Sequence, residues 1–292
     1  MDGILVINKE KGKTSRDVVN DICHILNTKK VGHTGTLDPL ATGVLVLGIN
    51  DGLKIINELN ALDKEYEAEV LLGINTDTLD ITGNILEERK VKNITNEDID
   101  NVLNTFIGDY DMEVPIYSAV KINGKKLYEY ARNNEKIDLP IHKVYVYEIK
   151  RTSDISYDGD KAKFSFKCRV SKGTYIRSLI RDISKKLNEI GVMSNLNRTK
   201  QGDFDIKDSF TIDEIKNGNY KLLSIIDCIK LPKIDITEDI YKRVINGNKL
   251  NNIYSYDRFC FIKDNKLIAI YKIDENNKEL VKPEKVFKIW QK

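Results

Sequence analysis

The chain has no run of about 18 apolar residues, the length that a membrane-crossing helix needs. Its first residues, MDGILVINKEKGK, put a short apolar segment before the lysines rather than after a basic start. A protein of the cytoplasm is expected. Cysteine is scarce: Cys23, Cys168, Cys228 and Cys260 are scattered, with no CxxC pair and no histidine at metal-ligand spacing. That pattern suggests neither a disulfide framework nor a zinc site, so reduced and buried thiols are expected. There is no GxxxxGK[ST] loop and no GxGxxG fingerprint to hold a nucleotide. Internal repeats are absent too, and the only compositional bias is a richness in Asn, Lys and Ile.

What remains is ordinary globular material. A length of 292 residues with 41% hydrophobic side chains can fill one large core or two smaller ones. The net charge is only +2, but it is unevenly spread. Residues 161–207 hold twelve Lys or Arg against four acids, whereas residues 95–113 hold six acids and no base. Such segregation is able to build one basic face that meets a polyanion, although a solvated surface is the commoner outcome of any single charge run.

Along the chain, Gly3–Ile7 reads as a short buried strand, followed by a helix capped at Thr14 or Ser15 with Val18, Val19, Ile22, Cys23, Ile25 and Leu26 at helical spacing. Val44–Ile49 reads as a second buried strand. Tyr66, Ala68, Val70 and Leu72 alternate with acids as a half-exposed strand should. Thr95 caps a helix expected to stop at Gly108. Residues 115–142, with proline near both ends, basic and aromatic side chains and no sustained period, read as a functional excursion rather than core. Strands are expected at 143–151 and 162–170, then a helix beginning near Tyr175 and closed by Gly191. Leu231-Pro232 is the expected boundary, beyond which short strands such as Phe259–Ile262 and Leu267–Ile273 are joined by Asp264-Asn265. This interleaving predicts an α+β fold with a mixed, largely antiparallel sheet.

Between the first two strands lies VGHTGTLDPLATG, residues 31–43, a turn that carries one carboxylate. Asp38 before Pro39 serves as a turn-former in the plainest reading. A phosphate-accepting aspartate is a second reading, weakened because such loops place the aspartate before Thr-Gly-Thr rather than after it. His33 alone in a loop is by default a hydrogen-bonding residue, and Tyr66 a core aromatic. Arg177 is more informative, because a cation at a helix start opposes the helix dipole and calls for a carboxylate partner, for which Asp38 is a candidate.

Four separated segments, GHTGTLDPLATGVLVLG (32–48), DKEYEAEVLLGINTDTLDITG (63–83), PIYSAVKINGKKLYEYAR (115–132) and SKGTYIRSLIRD (171–182), resemble in order and spacing the bacterial tRNA pseudouridine-55 synthases of the TruB family. The resemblance implies a pseudouridine-synthase fold with a sheet flanked by helices, and isomerisation of one T-loop uridine of tRNA after base flipping. It implies Asp38 as the catalytic aspartate, Arg177 as the arginine that pairs with it and aims it, and Tyr66 as the tyrosine that stacks on the uracil. His33, Tyr175 and Leu196 match positions around the flipped nucleotide. Residues 115–142, with Lys121, Lys125, Lys126, Tyr128 and Arg132, look like the family's thumb loop over the RNA. Lys9 matches a lysine behind the site, although Lys9-Glu10-Lys11-Gly12 departs from the usual Lys-Pro pattern, and Val120 stands where Leu is usual.

The resulting expectation is a synthase domain at 1–232 and a small β-barrel-like, PUA-like RNA-binding module at 233–292. Neither a cofactor nor a metal is expected. The expected partner is the T-arm stem-loop of tRNA, with no membrane and no nucleotide cofactor, and a monomer is expected from one complete site per chain. The rival from another class is a non-catalytic tRNA-binding or RNA-folding protein.

Overall fold

The computed structural model describes residues 1–287; residues 288–292, the end of the expected C-terminal module, lie outside the described residues. Seven strands form the spine of the larger sheet: β1 (Gly3–Lys9), β2 (Thr42–Ile49), β3 (Lys64–Leu72), β4 (Gly108–Glu113), β5 (Ile141–Arg151), β6 (Lys161–Val170) and β7 (Gly191–Gln201). Their spatial order is β1-β2-β7-β3-β6-β5-β4. All neighbours on this path are antiparallel except β2 and β7, which run parallel where Thr42 and Gly43 face Asn197 and Arg198. The sheet is thus mixed and largely antiparallel, and the α+β expectation holds.

Burial along each strand follows its composition. In β1 and β2 almost every side chain is buried, which is why both read as continuous apolar runs. Leu5, Ile7, Leu45 and Leu47 join the main core, while Ile4, Val6, Val44 and Val46 face a second core on the other side. In β3 and β6 the buried residues alternate with Glu65, Glu67, Glu69, Lys163 and Lys167, giving one dry face and one wet, ion-paired face. Three helices cover the dry face: α1 (Ser15–Ile25), α2 (Asn96–Asn104) and α3 (Ile176–Lys186). Thr14 with Asp17 and Thr95 with Asp98 form complete capping boxes at α1 and α2, each contributing about 1 kcal/mol.

Several boundaries differ from expectation. The second helix ends at Asn104 rather than at Gly108, which takes φ +108° as the first residue of β4. The third helix ends at Lys186, because Asn188 adopts the left-handed conformation (φ 58°) that breaks it. Gly191 instead opens β7, where a Cβ would lie 2.3 Å from the Ser184 hydroxyl. Strand β5 starts at Ile141, so the last residues of the 115–142 excursion already belong to the sheet. The rest of the excursion has a small core of its own, with Val114, Leu127 and Tyr130 buried together beneath a two-stranded hairpin and a short helix, Leu127–Arg132. Cys168 and Cys260 are buried as expected, but Cys23 and Cys228 are only half-buried; all four are free thiols.

The charge segregation seen in the sequence does not survive folding as one basic face. Alternation keeps Lys161, Lys163, Lys167 and Arg169 on one side of β6, but acids meet these and other bases: Lys167 with Glu65, Lys163 with Glu69, Lys161 with Glu88, Arg181 with Glu113 and Asp182, and Lys200 with Asp205. The acidic stretch is likewise partly consumed, through Asp100 on Arg151.

Beyond Pro232 a five-stranded sheet curls into a half-barrel, in the order Lys233–Asp235, Arg258–Lys263, Lys266–Asp274, Asn277–Val286 and Leu250–Asn251. Asp264 and Asn265 both have positive φ, which suits a tight two-residue hairpin turn. Phe261 packs edge to face with Phe259 and with Tyr271 in this sheet, and Tyr254 packs against both phenylalanines. Cys260, Leu267, Ile270 and Phe287 instead share a core with the back of β1 and β2. No helix among the described residues is long and apolar enough to cross a membrane.

Candidate active site

The 31–43 turn is shaped by what lies behind it. Ser15, buried at the start of α1, accepts the Leu37 N–H at 2.8 Å and donates its hydroxyl to the Leu37 carbonyl at 3.2 Å. Ala41 N–H closes the turn on the Asp38 carbonyl at 3.0 Å. Lys9 is fully buried, and its ammonium donates to the carbonyls of Glu10, Lys13 and, at 3.5 Å, Pro39. Burial pulls its pKa down to about 8. Lys9 therefore supports the turn from behind, with its ammonium engaged by carbonyls and no surface exposed. Gly43, at φ +99°, ends the turn where β2 meets β7. A Cβ there would fall 2.3 Å from the Arg198 carbonyl oxygen, so only glycine fits.

This scaffold displays Asp38 at the floor of a cleft of about 450 Å³. The Arg177 guanidinium meets it in a two-point contact, Nε to Oδ2 at 2.9 Å and Nη2 to Oδ1 at 3.0 Å. Arg177 is 5% exposed and also donates to the carbonyls of Thr78 and Tyr117, so every direction of its fork is fixed. The cation at the start of α3 thus has the carboxylate partner that the helix dipole called for. Each Asp38 oxygen accepts one hydrogen bond from Arg177, and the carboxylate remains about one-third exposed.

The wall of the cleft comes from adjacent strands. Tyr66 in β3 lies opposite Arg198 in β7, and Ala68 opposite Leu196. Tyr66 is 7% exposed, and burial raises its pKa, with the facing Arg198 guanidinium opposing, so the ring presents a neutral phenol. Tyr175, the residue at the N-terminal boundary of α3, also lines the cleft; burial raises its pKa as well. Tyr128 reaches the cleft from the excursion, its ring flanked by Lys126 at 5.3 Å and Arg132 at 5.2 Å. Asp38, Tyr66, Arg177, Tyr175, Leu196 and Tyr128 are therefore brought together in one place. His33 stands just outside, its Nδ1 accepting the Gly35 N–H at 3.3 Å; burial and the nearby Arg16 and Arg198 lower its pKa, favouring a neutral ring. Lys121, Lys125, Lys126 and Arg132 line no wall of the cleft and instead sit on the hairpin and helix beside it, Lys125 paired with Glu135.

Among the cleft residues that the sequence reading missed are three cations, Lys64, Lys172 and Arg198. Lys64 and Arg198 are both buried. A period-two signal was available for Lys64: it lies two residues before Tyr66, hence on the same inward side of β3. Among the described residues no group of three or more His, Cys, Asp or Glu is arranged to hold a metal ion.

Solved structures with the same architecture define the class. The chain overlays a chain of the structure of an H/ACA RNP bound to a substrate RNA containing 2'-deoxyuridine with a TM-score of 0.70, at 23% identity, covering 98% of this chain and 85% of that one. It overlays a chain of the crystal structure of a Cbf5-Nop10-Gar1 complex equally well, with a TM-score of 0.70 at 25% identity over 97% and 84% of the two chains. The fold is that of the pseudouridine synthases.

The sequence narrows this further. Residues 23–176 match the profile of the TruB family pseudouridylate synthase (N terminal domain). The tRNA pseudouridine synthase B of Oceanobacillus iheyensis is 43% identical over 100% of this chain and 99% of its own length. That of Caldanaerobacter subterraneus subsp. tengcongensis is 43% identical over 93% and 91%. The chain belongs to the TruB family of pseudouridine synthases, and is an isomerase.

Proposed function

We propose that the protein converts one uridine in the T loop of tRNA, at position 55, to pseudouridine. The relatives' names support tRNA as the substrate. The observation that carries the chemistry is the two-point Arg177–Asp38 contact at the floor of an open cleft faced by Tyr66. A base inside a folded loop must be extruded before its C1′ is reachable, and contacts with Tyr66, Tyr175 and Leu196 offset the lost stacking. Asp38 then either attacks C1′ or takes a proton from C2′, and in both routes the N1–C1′ bond breaks. The base turns and C5 bonds to C1′, as the Asp38–C1′ bond breaks in the first route or C2′ takes its proton back from Asp38 in the second; the C5 proton is then lost and N1 gains one. The atoms balance without a co-reactant.

In this reading residues 1–232 are the synthase domain, with 115–142 a thumb that lays Lys121, Lys125, Lys126, Tyr128 and Arg132 against the RNA. Residues 233–292 are an RNA-binding module of PUA type. His33 serves recognition as a neutral group beside the flipped nucleotide. The test is mass-spectrometric mapping of pseudouridine in an unmodified tRNA transcript incubated with wild-type protein or Asp38→Asn in buffer containing EDTA. A single T-loop pseudouridine is expected with wild type and none with the variant. Binding of the transcript by wild type with no pseudouridine formed would favour an RNA-binding or RNA-folding protein instead.

A further inference from the structure

The cleft keeps a positive charge that the proposed chemistry does not use. Four cations line it, Lys64, Lys172, Arg177 and Arg198, against a single acid, Asp38, which Arg177 already matches. Among the described residues, none of Lys64, Lys172 and Arg198 belongs to an ion pair, although most bases of the neighbouring strands do. Lys64 and Arg198 are 6% and 1% exposed, so water does little to screen them. Lys64 spends two donors on the carbonyls of Asn60 and Leu62, and Lys172 stands exposed in the turn before α3. Burial, and then the facing Arg198 and Lys172, pull the Lys64 pKa down to about 8, with Asp63 the one acid opposing. Buried cations without counter-charge are costly, and such a corner is stable where a ligand brings the missing anion.

The same corner receives the start of α3. Residues 173–177 line the cleft, and this helix, unlike α1 and α2, has no side-chain cap and no acid in its first turn. Its first N–H groups add positive potential to that of the side chains. Uracil and ribose are neutral, so the only anion a nucleotide brings is its phosphodiester.

We propose that Lys172 and Lys64, backed by Arg198 and the start of α3, hold one of the two phosphodiester groups that flank the flipped uridine. The proposal rests on the function stated above and adds a second anchor to it: the base is held by the aromatic wall, and the backbone by this corner. The two anchors together set where C1′ lies relative to Asp38. Lys172 and Lys64 are positioning residues, with no part in bond breaking.

The test uses synthetic T-arm stem-loops with all phosphates intact, or with one neutral methylphosphonate on the 5′ or the 3′ side of the target uridine. Affinity and single-turnover pseudouridine formation are measured for wild type and Lys172→Gln, which changes an exposed turn residue and leaves the core untouched. Loss of one charge-assisted contact is expected to weaken binding of the all-phosphate loop by ~10-fold. One of the two methylphosphonates should cost wild type about the same factor and cost Lys172→Gln nothing more. Losses that simply multiply for both methylphosphonates, or a variant that binds as wild type does, would overturn the proposal. Lys64→Met, checked for an unchanged thermal midpoint, should show the same lack of additivity. Wild type that binds the loop but forms no pseudouridine would remove the function proposed above while the binding cycle still decides the phosphate site. Wild type that neither binds nor reacts would overturn both.

Discussion

Among the arginines that grip a carboxylate with both ends of the fork, Arg258 and Arg177 sit in opposite electrical surroundings. Arg258, where the C-terminal sheet meets the large one, is held by Glu58 at 2.8 and 3.1 Å and by Glu284 at 2.7 and 3.1 Å, with Lys285 on Glu58 at 3.0 Å. Two cations meet two acids there, and the cluster closes on itself. Arg177 meets one acid, Asp38, in a cleft where three further cations stand unmatched. The chemistry of the pair is the same in both; the charge balance and the opening differ. A balanced, closed cluster ties the C-terminal sheet to the helical turn Ile56–Asn60, whereas an unbalanced, open one is arranged to receive something.

The sharpest way to break this comparison is to neutralise each acid without changing its shape. Asp38→Asn should lower pseudouridine formation by at least about 10³-fold, the scale on which removal of a reacting group acts. Arg177 retains the carbonyls of Thr78 and Tyr117, so the fold should hold. Glu58→Gln should do the reverse, costing about 2 kcal/mol of stability through weakened bonds to Arg258 and Lys285 while product formation stays intact. Thermal melts beside single-turnover assays decide both.

That junction should also fail in acid. Burial works to raise the Glu58 pKa, but the hydrogen bonds from Arg258 and Lys285 outweigh it and leave a net lowering. The unfolded chain therefore takes up this proton at a higher pH than the folded one. The stabilisation is present above the ordinary glutamate value, and is lost as pH falls through it toward the lowered one. In Glu58→Gln this part of the acid sensitivity should vanish.

A smaller effect should appear at the cleft on the alkaline side. The Lys64 pKa lies at about 8 in the free protein, held down by burial, Arg198 and Lys172. Below that pH the lysine is charged both free and bound, and affinity for RNA is flat with respect to this group. Above it, a bound phosphodiester must draw a proton onto Lys64, so affinity should fall by at most about tenfold per pH unit. Titrating affinity from pH 7 to 9 tests this, and Lys64→Met should flatten the curve.

Much of the fold and the centre of the site could be read from the chain. The Asp38–Arg177 contact followed from a cation at a helix start, and the two-residue hairpin from Asp264-Asn265. Local pattern carries that information. Other features depended on tertiary placement. Twelve bases in 161–207 looked like one face, yet acids distant in sequence matched many of them. No local pattern announces that Lys9 is fully buried, its ammonium surrounded by the carbonyls of Glu10, Lys13 and Pro39. The C-terminal strands read as a separate unit, but Cys260 and Ile270 share a core with Val6 and Val44, a contact no local signal announces.

The most direct single measurement is the single-turnover rate of pseudouridine formation on a T-arm stem-loop for Asp38→Asn and Glu58→Gln in parallel, at a temperature where both are folded and saturated with RNA. The account predicts no detectable product from Asp38→Asn and a wild-type rate from Glu58→Gln. Product from Asp38→Asn at a rate near wild type would contradict it, because the open, unbalanced pair would then not be the chemical centre.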